Sequence, residues 1–271
     1  MEKIISDKLE QLIINLKKHK TVLVAFSGGV DSTLLLKVAL DTLGRENVIA
    51  VTIDSDLHGQ RESSLAKDIA KNLNAVHEKV KINILESEEI LNNNTDRCYV
   101  CKKQIFLRLV EMAKQWDLNK VVEGSNFDDL SDFRPGMKAL SELGIESPLK
   151  NAKLLKDEIR KISASFGLET ANKPSSPCLA TRIPFGKKIT KEKLVQIEKA
   201  EDFLHEMGIS PIRVRHHNQI ARIEVHPKDF DLILNKENSQ KILSHFNQIG
   251  YNFITLDIQG YKQGNMNKGI K

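Results

Sequence analysis

A glycine-rich loop between a short apolar strand and a helix constrains this 271-residue chain more than any other feature. Residues 21–26 (TVLVAF) show the pattern of a buried strand, and residues 32–43 that of a helix ending at Gly44. The two glycines permit a sharp turn that exposes backbone N–H groups, and the helix N-terminus adds the positive end of its dipole. The loop is therefore predicted to bind a pyrophosphate group. It consists of Ser27, Gly28, Gly29, Val30, Asp31 and Ser32.

The loop differs from two common nucleotide-binding motifs. The chain has no G-x-x-x-x-G-K-[ST] and no G-x-G-x-x-G, which excludes a Walker loop and a dinucleotide fingerprint. The alternative without a ligand is a glycine-rich turn capped by Asp or Ser.

The first 170 or so residues alternate strand-like and helix-like segments. Beyond the loop, strands are predicted at 48–53, 75–82 and 121–122, and helices at 61–73, 105–116 and 154–166. Such alternation predicts an α/β fold with a doubly wound, mainly parallel sheet. Ligands of such sheets bind at the carboxyl ends of the strands.

The pattern breaks between residues 172 and 188, a loop rich in proline and serine. Thr190 then caps a predicted helix that ends near residue 207. The remaining segments predict strands at 212–215, 220–225 and 253–258 and helices at 230–234 and 240–249. The chain is thus predicted to have two domains, residues 1–188 and a smaller α+β domain of residues 189–271.

Composition limits the partners. The 41 basic and 36 acidic residues give a net charge of +5, which permits an anionic ligand but falls short of a nucleic-acid binder. No apolar run approaches the roughly 20 residues that span a bilayer, and the amphipathic N-terminus lacks the apolar core of a signal peptide. We therefore expect a cytoplasmic protein with no membrane or nucleic-acid partner. Three cysteines in a reducing compartment argue against a disulfide framework.

Several motifs resemble known families. The loop S-G-G-V-D-S resembles the PP-loop of the ATP pyrophosphatase superfamily, whose members adenylylate a substrate and release pyrophosphate. Other segments are similar to those of the LarE family, and the matches together run from residue 27 to about residue 262. They are residues 123–129 (EGSNFDD), 132–136 (DFRPG), 173–184 (KPSSPCLATRIP), 213–217 (RVRHH), 221–225 (ARIEV) and 260–262 (GYK).

The LarE resemblance implies an ATP-dependent sulfur insertion. The substrate would be pyridinium-3,5-biscarboxylic acid mononucleotide, whose carboxylates become thiocarboxylates through acyl adenylates on the way to a nickel-pincer cofactor. The resemblance also implies a homo-oligomer and places Gly124 with the nucleotide-binding residues. Asp128, beside Asp129, is a candidate ligand of Mg²⁺, with a solvated acidic turn or helix cap as the alternative.

Basic residues in the second domain are candidates for binding the substrate. Alternation along a strand would put Arg213 and Arg215 on one face, and guanidinium groups suit a phosphate monoester. An exposed basic strand face is the alternative from the residues alone. The resemblance favours binding of the substrate phosphate, with Glu224 nearby. Lys262 stands where the LarE family usually has arginine, so it keeps the charge and loses bidentate geometry.

The three cysteines define the candidate source of sulfur. Cys98 and Cys101 form a C-x-x-C, and Cys178 lies in the loop that resembles the family's sulfur-donor segment. The resemblance implies that these three thiolates hold a [4Fe-4S] cluster with one iron open to sulfide, or that Cys178 alone gives up its sulfur. Zinc, a disulfide or no site are further alternatives for the C-x-x-C.

Two other functions remain open. Some tRNA-thiolating enzymes also join a PP-loop to a three-cysteine cluster, but the chain shows no added RNA-binding module and little excess charge. A nucleotide-binding module that senses redox state through its cysteines is the alternative without catalysis.

Overall fold

The computed structural model describes residues 3–130, 135–262 and 265. It divides the chain into two compact units. The N-terminal unit comprises Met1–Asn83 and Cys98–Ser176, and the C-terminal unit comprises Ile84–Arg97 and Pro177–Lys271. These units differ from the predicted division after residue 188, because residues 84–97 and 177–188 both group with the C-terminal part.

The secondary structure follows the predicted order. The strands are β1 (Val22–Ala25), β2 (Val48–Asp54), β3 (Val76–Lys81), β4 (Lys120–Val122), β5 (Ile212–His217), β6 (Ile220–Val225) and β7 (Phe253–Leu256). The helices are α1 (Lys3–Lys17), α2 (Val30–Leu43), α3 (Gln60–Asn72), α4 (Glu88–Leu91), α5 (Arg97–Gln115), α6 (Gly136–Glu142), α7 (Pro148–Asn151), α8 (Lys156–Ser165), α9 (Lys191–Glu206), α10 (Phe230–Leu234) and α11 (Lys236–Gln248).

The N-terminal unit is built on a parallel sheet with strand order β3-β2-β1-β4. Val22 of β1 pairs with Val48 on one side and with Lys120 on the other. The chain therefore leaves β1 toward β2 and returns on the opposite side at β4, so the strand order reverses beside β1. The fold class predicted from the alternating segments is confirmed.

The core of the N-terminal unit explains why its helices form where they do. Buried apolar residues of β1 and α2 pack with the inward faces of α1 and α8. Helix α2 ends where Gly44 adopts φ +85° and donates its N–H to the carbonyl of Leu40. The apolar core residues include Leu12, Leu16, Val22, Val24, Leu34, Leu35, Leu36, Ile159 and Ile162.

The C-terminal unit is a mixed sheet with helices, as the predicted smaller α+β domain requires. Its strand order is β5-β6-β7, antiparallel between β5 and β6 and parallel between β6 and β7. Thr190 caps α9 by accepting from the Lys193 N–H at 3.4 Å, as predicted. Residues of α9, the sheet and α11 form the core: Leu204, Ile212, Val214, Ile223, Ile242, Phe246 and Tyr251.

Helix α5 is longer than the sequence pattern suggests. Its apolar periodicity begins near Ile105, but the helix begins at Arg97. The eight residues before Ile105 (RCYVCKKQ) lack a helical apolar period, so hydrophobic spacing does not reveal them. The described part of the chain contains no helix long and apolar enough to cross a membrane.

Candidate functional site

The loop after β1 is organised by two serine side chains. The Ser32 hydroxyl accepts the Ser27 backbone N–H at 3.3 Å and donates to the Gly29 carbonyl at 3.2 Å. The two hydroxyls lie 3.1 Å apart. Helix α2 begins at Val30, and Gly29 offers no side chain to cap it. No side chain at the N-cap position therefore binds the first N–H groups of α2. An anion-binding helix N-terminus needs such uncapped N–H groups.

Glycine is required at two positions around the loop. Gly28 has φ +66°, and a Cβ there would lie 2.9 Å from the Ala66 Cα. Gly124 follows β4, and a Cβ there would lie 3.0 Å from the backbone nitrogen of Ser32. The structure thus brings Gly124 to the loop as expected, at the carboxyl ends of two neighbouring strands. Ligands of parallel sheets bind where the strand order reverses in this way.

Two lysines that the sequence analysis did not single out contact this loop. Lys156, the first residue of α8, forms an ion pair with Asp31, which also accepts from the Asn126 side chain at 3.3 Å. Lys173 donates to the Gly28 carbonyl at 3.1 Å and pairs with Glu62 at 2.8 Å. Both cations lie beside a loop that would hold phosphates. Their separation from it by more than 120 residues hid them from motif analysis.

Asp128 lies at the start of α8. Its carboxylate accepts the backbone N–H of Lys156 at 2.7 Å, and its own N–H donates to the Asn126 side chain at 3.0 Å. This is the geometry of the helix cap that the sequence left open as the alternative to a Mg²⁺ ligand. The neighbouring part of the LarE-like segment, Asp132 to Arg134, lies outside the described residues.

The cysteines fall in both units. Cys98 and Cys101 lie near the start of α5, three residues apart and therefore on the same face, and both are half-buried and outside any disulfide. Cys178 is a half-buried free thiol of the C-terminal unit. Across the described ranges, no three His, Cys, Asp or Glu side chains form a group that could hold a metal ion.

The backbone at Cys178 is held by its neighbours. The Cys178 carbonyl accepts from the Thr181 N–H at 3.0 Å, from the Thr181 hydroxyl at 2.9 Å and from Arg182 Nη1 at 3.0 Å. Arg182 also donates to the carbonyl of Pro177. The segment around the candidate donor cysteine is thus ordered by one arginine side chain.

Arg182 is in turn paired with Glu201 of α9. The guanidinium donates Nε and Nη2 to the two carboxylate oxygens at 2.9 and 2.8 Å, and only 2% of Arg182 is exposed. Glu201 also accepts the Val214 N–H of β5 at 2.8 Å. Burial alone would raise the pKa of Glu201, but Arg182, Arg213 and the Val214 N–H lower it below its ordinary value. The sequence analysis missed this pair.

The two arginines predicted to bind the substrate are buried and contact other residues of the C-terminal unit. Arg215 donates to Glu224 at 2.7 Å and to the Thr181 carbonyl at 2.9 Å. Glu224, fully buried, also pairs with Arg222 at 3.0 Å. The alternative of an exposed basic strand face is therefore wrong for Arg215 and Arg213, each only 5% exposed.

Arg213 differs from Arg215 in its surroundings. Its guanidinium lies 5.2 Å from the centre of the Tyr261 ring. Burial and then the positive charge of Arg182 lower its pKa from the ordinary value, although Glu201 opposes them. Burial is thus the main reason why the charged guanidinium is disfavoured, and a bound anion would stabilise its charge. Lys262, the next residue after Tyr261, is exposed.

The comparisons with known proteins agree with this arrangement. Residues 1–101 match the model of a PP-loop domain family. The chain is 37% identical to the pyridinium-3,5-bisthiocarboxylic acid mononucleotide synthase of Lactiplantibacillus plantarum, over 97% of this chain and 95% of that protein. It is also 37% identical to an uncharacterised protein of Synechocystis, over 97% and 98% of the two chains.

A more distant similarity covers less of the chain. The tRNA-specific 2-thiouridylase MnmA of Rickettsia bellii is 27% identical over 59% of this chain and 53% of that protein. The LarE-like synthase, by contrast, matches nearly from end to end, and the loop, the parallel sheet and the second unit are all present here. The chain belongs to the LarE family of PP-loop ATP-dependent sulfurtransferases.

Proposed function

We propose that this enzyme converts the two carboxylates of pyridinium-3,5-biscarboxylic acid mononucleotide to thiocarboxylates. The observation that carries this proposal is the near full-length similarity to the Lactiplantibacillus synthase, joined to a loop that fits a pyrophosphate. In each cycle a carboxylate oxygen attacks the α-phosphorus of ATP, and the bond to pyrophosphate breaks. Sulfur then attacks the acyl carbon, and the bond to AMP breaks.

The nucleotide loop serves the first half of this cycle. Its N–H groups, together with Gly28, Gly29 and the α2 N-terminus, would hold the leaving pyrophosphate. Lys156 and Lys173 supply positive charge beside the same loop. Mg²⁺ would bind the phosphates with help from Asp128, whose carboxylate also caps α8.

The three cysteines serve the second half. We propose that Cys98, Cys101 and Cys178 hold a [4Fe-4S] cluster, since three thiolates leave one iron without a protein ligand. Such a cluster, when bound, supplies sulfide as the nucleophile. The alternative is that the Cys178 thiolate forms a thioester with the acyl group. Loss of its Cα proton and cleavage of its Cβ–S bond would then release the thiocarboxylate and leave dehydroalanine.

The sheet of the C-terminal unit would bind the substrate. Arg213 and Arg215 are the proposed ligands of its phosphate, with Glu224 fixing Arg215 and Arg222. Lys262 would add a single charge without a forked contact. Arg213 supports this proposal best, because a bound anion would stabilise its buried charge.

Two measurements test the source of sulfur. We expect about four irons and matching sulfide per chain after anaerobic reconstitution, lost in Cys98→Ala. Intact mass should then be unchanged by turnover. Protein that binds no iron and loses the mass of one H₂S during turnover would establish Cys178 as the donor and overturn the cluster.

A tRNA substrate is the second candidate, favoured by the similarity to MnmA. The two functions separate in one assay of pyrophosphate release with either the pyridinium mononucleotide or unmodified tRNA. We expect release with the mononucleotide only. Release with tRNA, together with a steep fall of tRNA affinity with salt, would replace the proposed function.

A further inference from the structure

The C-terminal unit contains a small cavity at the end of strand β5. It encloses about 90 Å³ and opens to solvent. Its polar lining is basic: Lys187, Lys193, His216 and His217, with Pro184 and Asn218 completing the rim. No carboxylate is among its lining residues. A cavity of this size admits one phosphate-sized anion and not a nucleoside.

One wall of the cavity is fixed by a buried side chain. Asn93 is fully buried, and its Nδ2 donates to the carbonyls of Ile183, Pro184 and Lys187 at 3.3, 2.9 and 3.1 Å. The Asn93 backbone carbonyl accepts the Gly186 N–H at 2.9 Å. Because one asparagine holds the whole segment, the backbone that carries Lys187 is preorganised without a ligand.

The opposite wall is the first turn of α9. Lys193 lies in this turn, and its ammonium donates to the Lys188 carbonyl at 2.6 Å. The positive end of the helix dipole adds to the charge of the lysine. Among the described residues, no carboxylate forms an ion pair with Lys187 or Lys193, so both charges stay uncompensated within the unit.

The two histidines that line the cavity have lowered pKa values, mainly because they are buried. Burial first, and then the charges of Lys193 and His217, lower the pKa of His216 to about 4. His217 also has a lowered pKa, from burial and then the charges of Arg222 and Arg215, opposed by Glu224. Both rings are therefore neutral near pH 7 and able to donate one N–H each. The cavity thus combines two cations with two neutral hydrogen-bonding rings.

We propose that this cavity is a phosphate-binding site distinct from the Arg213–Arg215 face. His217 continues the alternating row of Arg213 and Arg215 along β5, which places the cavity at the end of that row. Arg215 is already engaged by Glu224 and Thr181, whereas the two lysines have no carboxylate partner. The ligand is a phosphate group, free as phosphate or pyrophosphate or carried by a pyridinium mononucleotide. Only the last source rests on the proposed function.

Binding and ring signals test the site in the full chain, without turnover. Inorganic phosphate, pyrophosphate and nicotinate mononucleotide are titrated separately by calorimetry at low salt and by NMR of the histidine rings. We expect at least one probe to bind, with shifts of His216 and His217 and none of His19 in the other unit. The tightest probe identifies the source of the phosphate.

Matched variants separate this site from general charge effects. Lys187→Ala/Lys193→Ala should weaken binding about tenfold or more, because each lysine supplies a charge-assisted contact. Lys228→Ala/Lys236→Ala makes the same charge change at exposed positions of the same unit and should leave binding within twofold. A titration of the His216 and His217 signals with unchanged affinity in the first variant, or the absence of ring shifts in the wild type with all three probes, would overturn the proposal. Loss of the His216 and His217 shifts in Arg213→Gln, which leaves Lys187 and Lys193 intact, would also overturn it, because the ring signals would then report binding at the Arg213–Arg215 face.

Discussion

The two units hold charge by different means. In the N-terminal unit the candidate site is made of backbone: a turn that needs glycine at Gly28 and Gly124, and a helix N-terminus without a capping side chain. In the C-terminal unit it is made of side chains, with Arg182 on Glu201 and Arg215 on Glu224, all nearly excluded from water. The backbone site depends on the space around its glycines, and the side-chain site depends on its buried ion pairs.

This difference predicts opposite sensitivities. A backbone site tolerates changes of most nearby side chains and fails when a methyl group is added where no space exists. A buried ion pair fails when one partner is removed, because the remaining charge is left without water or a counter-ion. The variants below, ordered by expected effect, test whether the two units really divide in this way.

Glu201→Ala should have the largest effect on stability. It leaves Nε and Nη2 of Arg182 and the Val214 N–H without their carboxylate acceptor in a buried position, and we expect a loss of about 3–5 kcal/mol. Glu206→Ala, on the exposed end of the same helix, is the control and should change stability by less than about 0.5 kcal/mol. Urea unfolding measures both. Equal losses in the two variants would remove the argument that the side-chain site depends on its buried ion pairs.

Gly28→Ala tests the backbone site. A left-handed φ costs an alanine about 1–2 kcal/mol, and contact with the Ala66 Cα at 2.9 Å adds about 1–2 kcal/mol. Gly144→Ala has a similar φ of +63° but no atom within 4 Å, so it carries the φ cost alone. We expect pyrophosphate release to fall at least tenfold only in Gly28→Ala, measured beside unfolding. Identical stability and activity for the two alanines would show that close packing at the loop has no role.

The same difference between a backbone site and buried side-chain pairs decides how much of each site could be predicted from the sequence. The loop and the parallel sheet were predictable because backbone requirements leave glycine, alternation and caps in the sequence. Gly124 was expected only from the resemblance to the LarE family. The pairs Arg182–Glu201 and Asn93–Arg97 leave no such trace, since a buried Arg or Asn looks like any surface residue until its partner is known. Lys156 and Lys173 escaped for another reason. Their target is more than 120 residues away, and spacing carries no information over that distance.

Within single elements too, contacts that form only on folding could not be predicted from the sequence, as the start of α5 and strand β5 show. Apolar spacing set the helix at Ile105, although it begins at Arg97, where buried contacts rather than periodicity hold the first turn. Residues alone favoured exposure for Arg213 and Arg215 because arginine is usually exposed. Their burial follows from contacts with Glu224 and Tyr261, and although Glu224 lies only nine residues from Arg215, the residue types alone do not show that the two side chains pair.

His216 of the C-terminal unit should contribute to the pH dependence of stability. His216 has a pKa of about 4 in the folded chain and about 6.5 when exposed. Its folded pKa is lowered, so between pH 6.5 and 4 the unfolded chain binds the proton that the folded chain does not, and stability falls as pH falls. We expect a loss of about 1–3 kcal/mol across this window.

His216→Gln tests that assignment by removing the titrating ring. The variant should be less stable at pH 7, because the contact of the ring with the Tyr251 hydroxyl at 3.2 Å is altered, but flatter between pH 6.5 and 4. His226→Gln, which is exposed, should keep the slope of the wild type. An unchanged slope in His216→Gln would move the pH dependence to another group.

The smallest effect concerns the contrast between the two helix starts. Helix α9 is capped by Thr190, whereas Gly29 gives α2 no side-chain cap. Because the Thr190 hydroxyl lies 3.4 Å from the Lys193 nitrogen, Thr190→Ala should cost about 0.5–1 kcal/mol, and Thr190→Ser should restore most of it.

Gly29→Ser makes the reciprocal change: a hydroxyl able to cap α2 should compete with phosphate for the same N–H groups. We therefore expect weaker ATP binding, measured by calorimetry, without a comparable loss of stability. If Gly29→Ser binds ATP as the wild type does, the uncapped N-terminus of α2 is not what holds the phosphates.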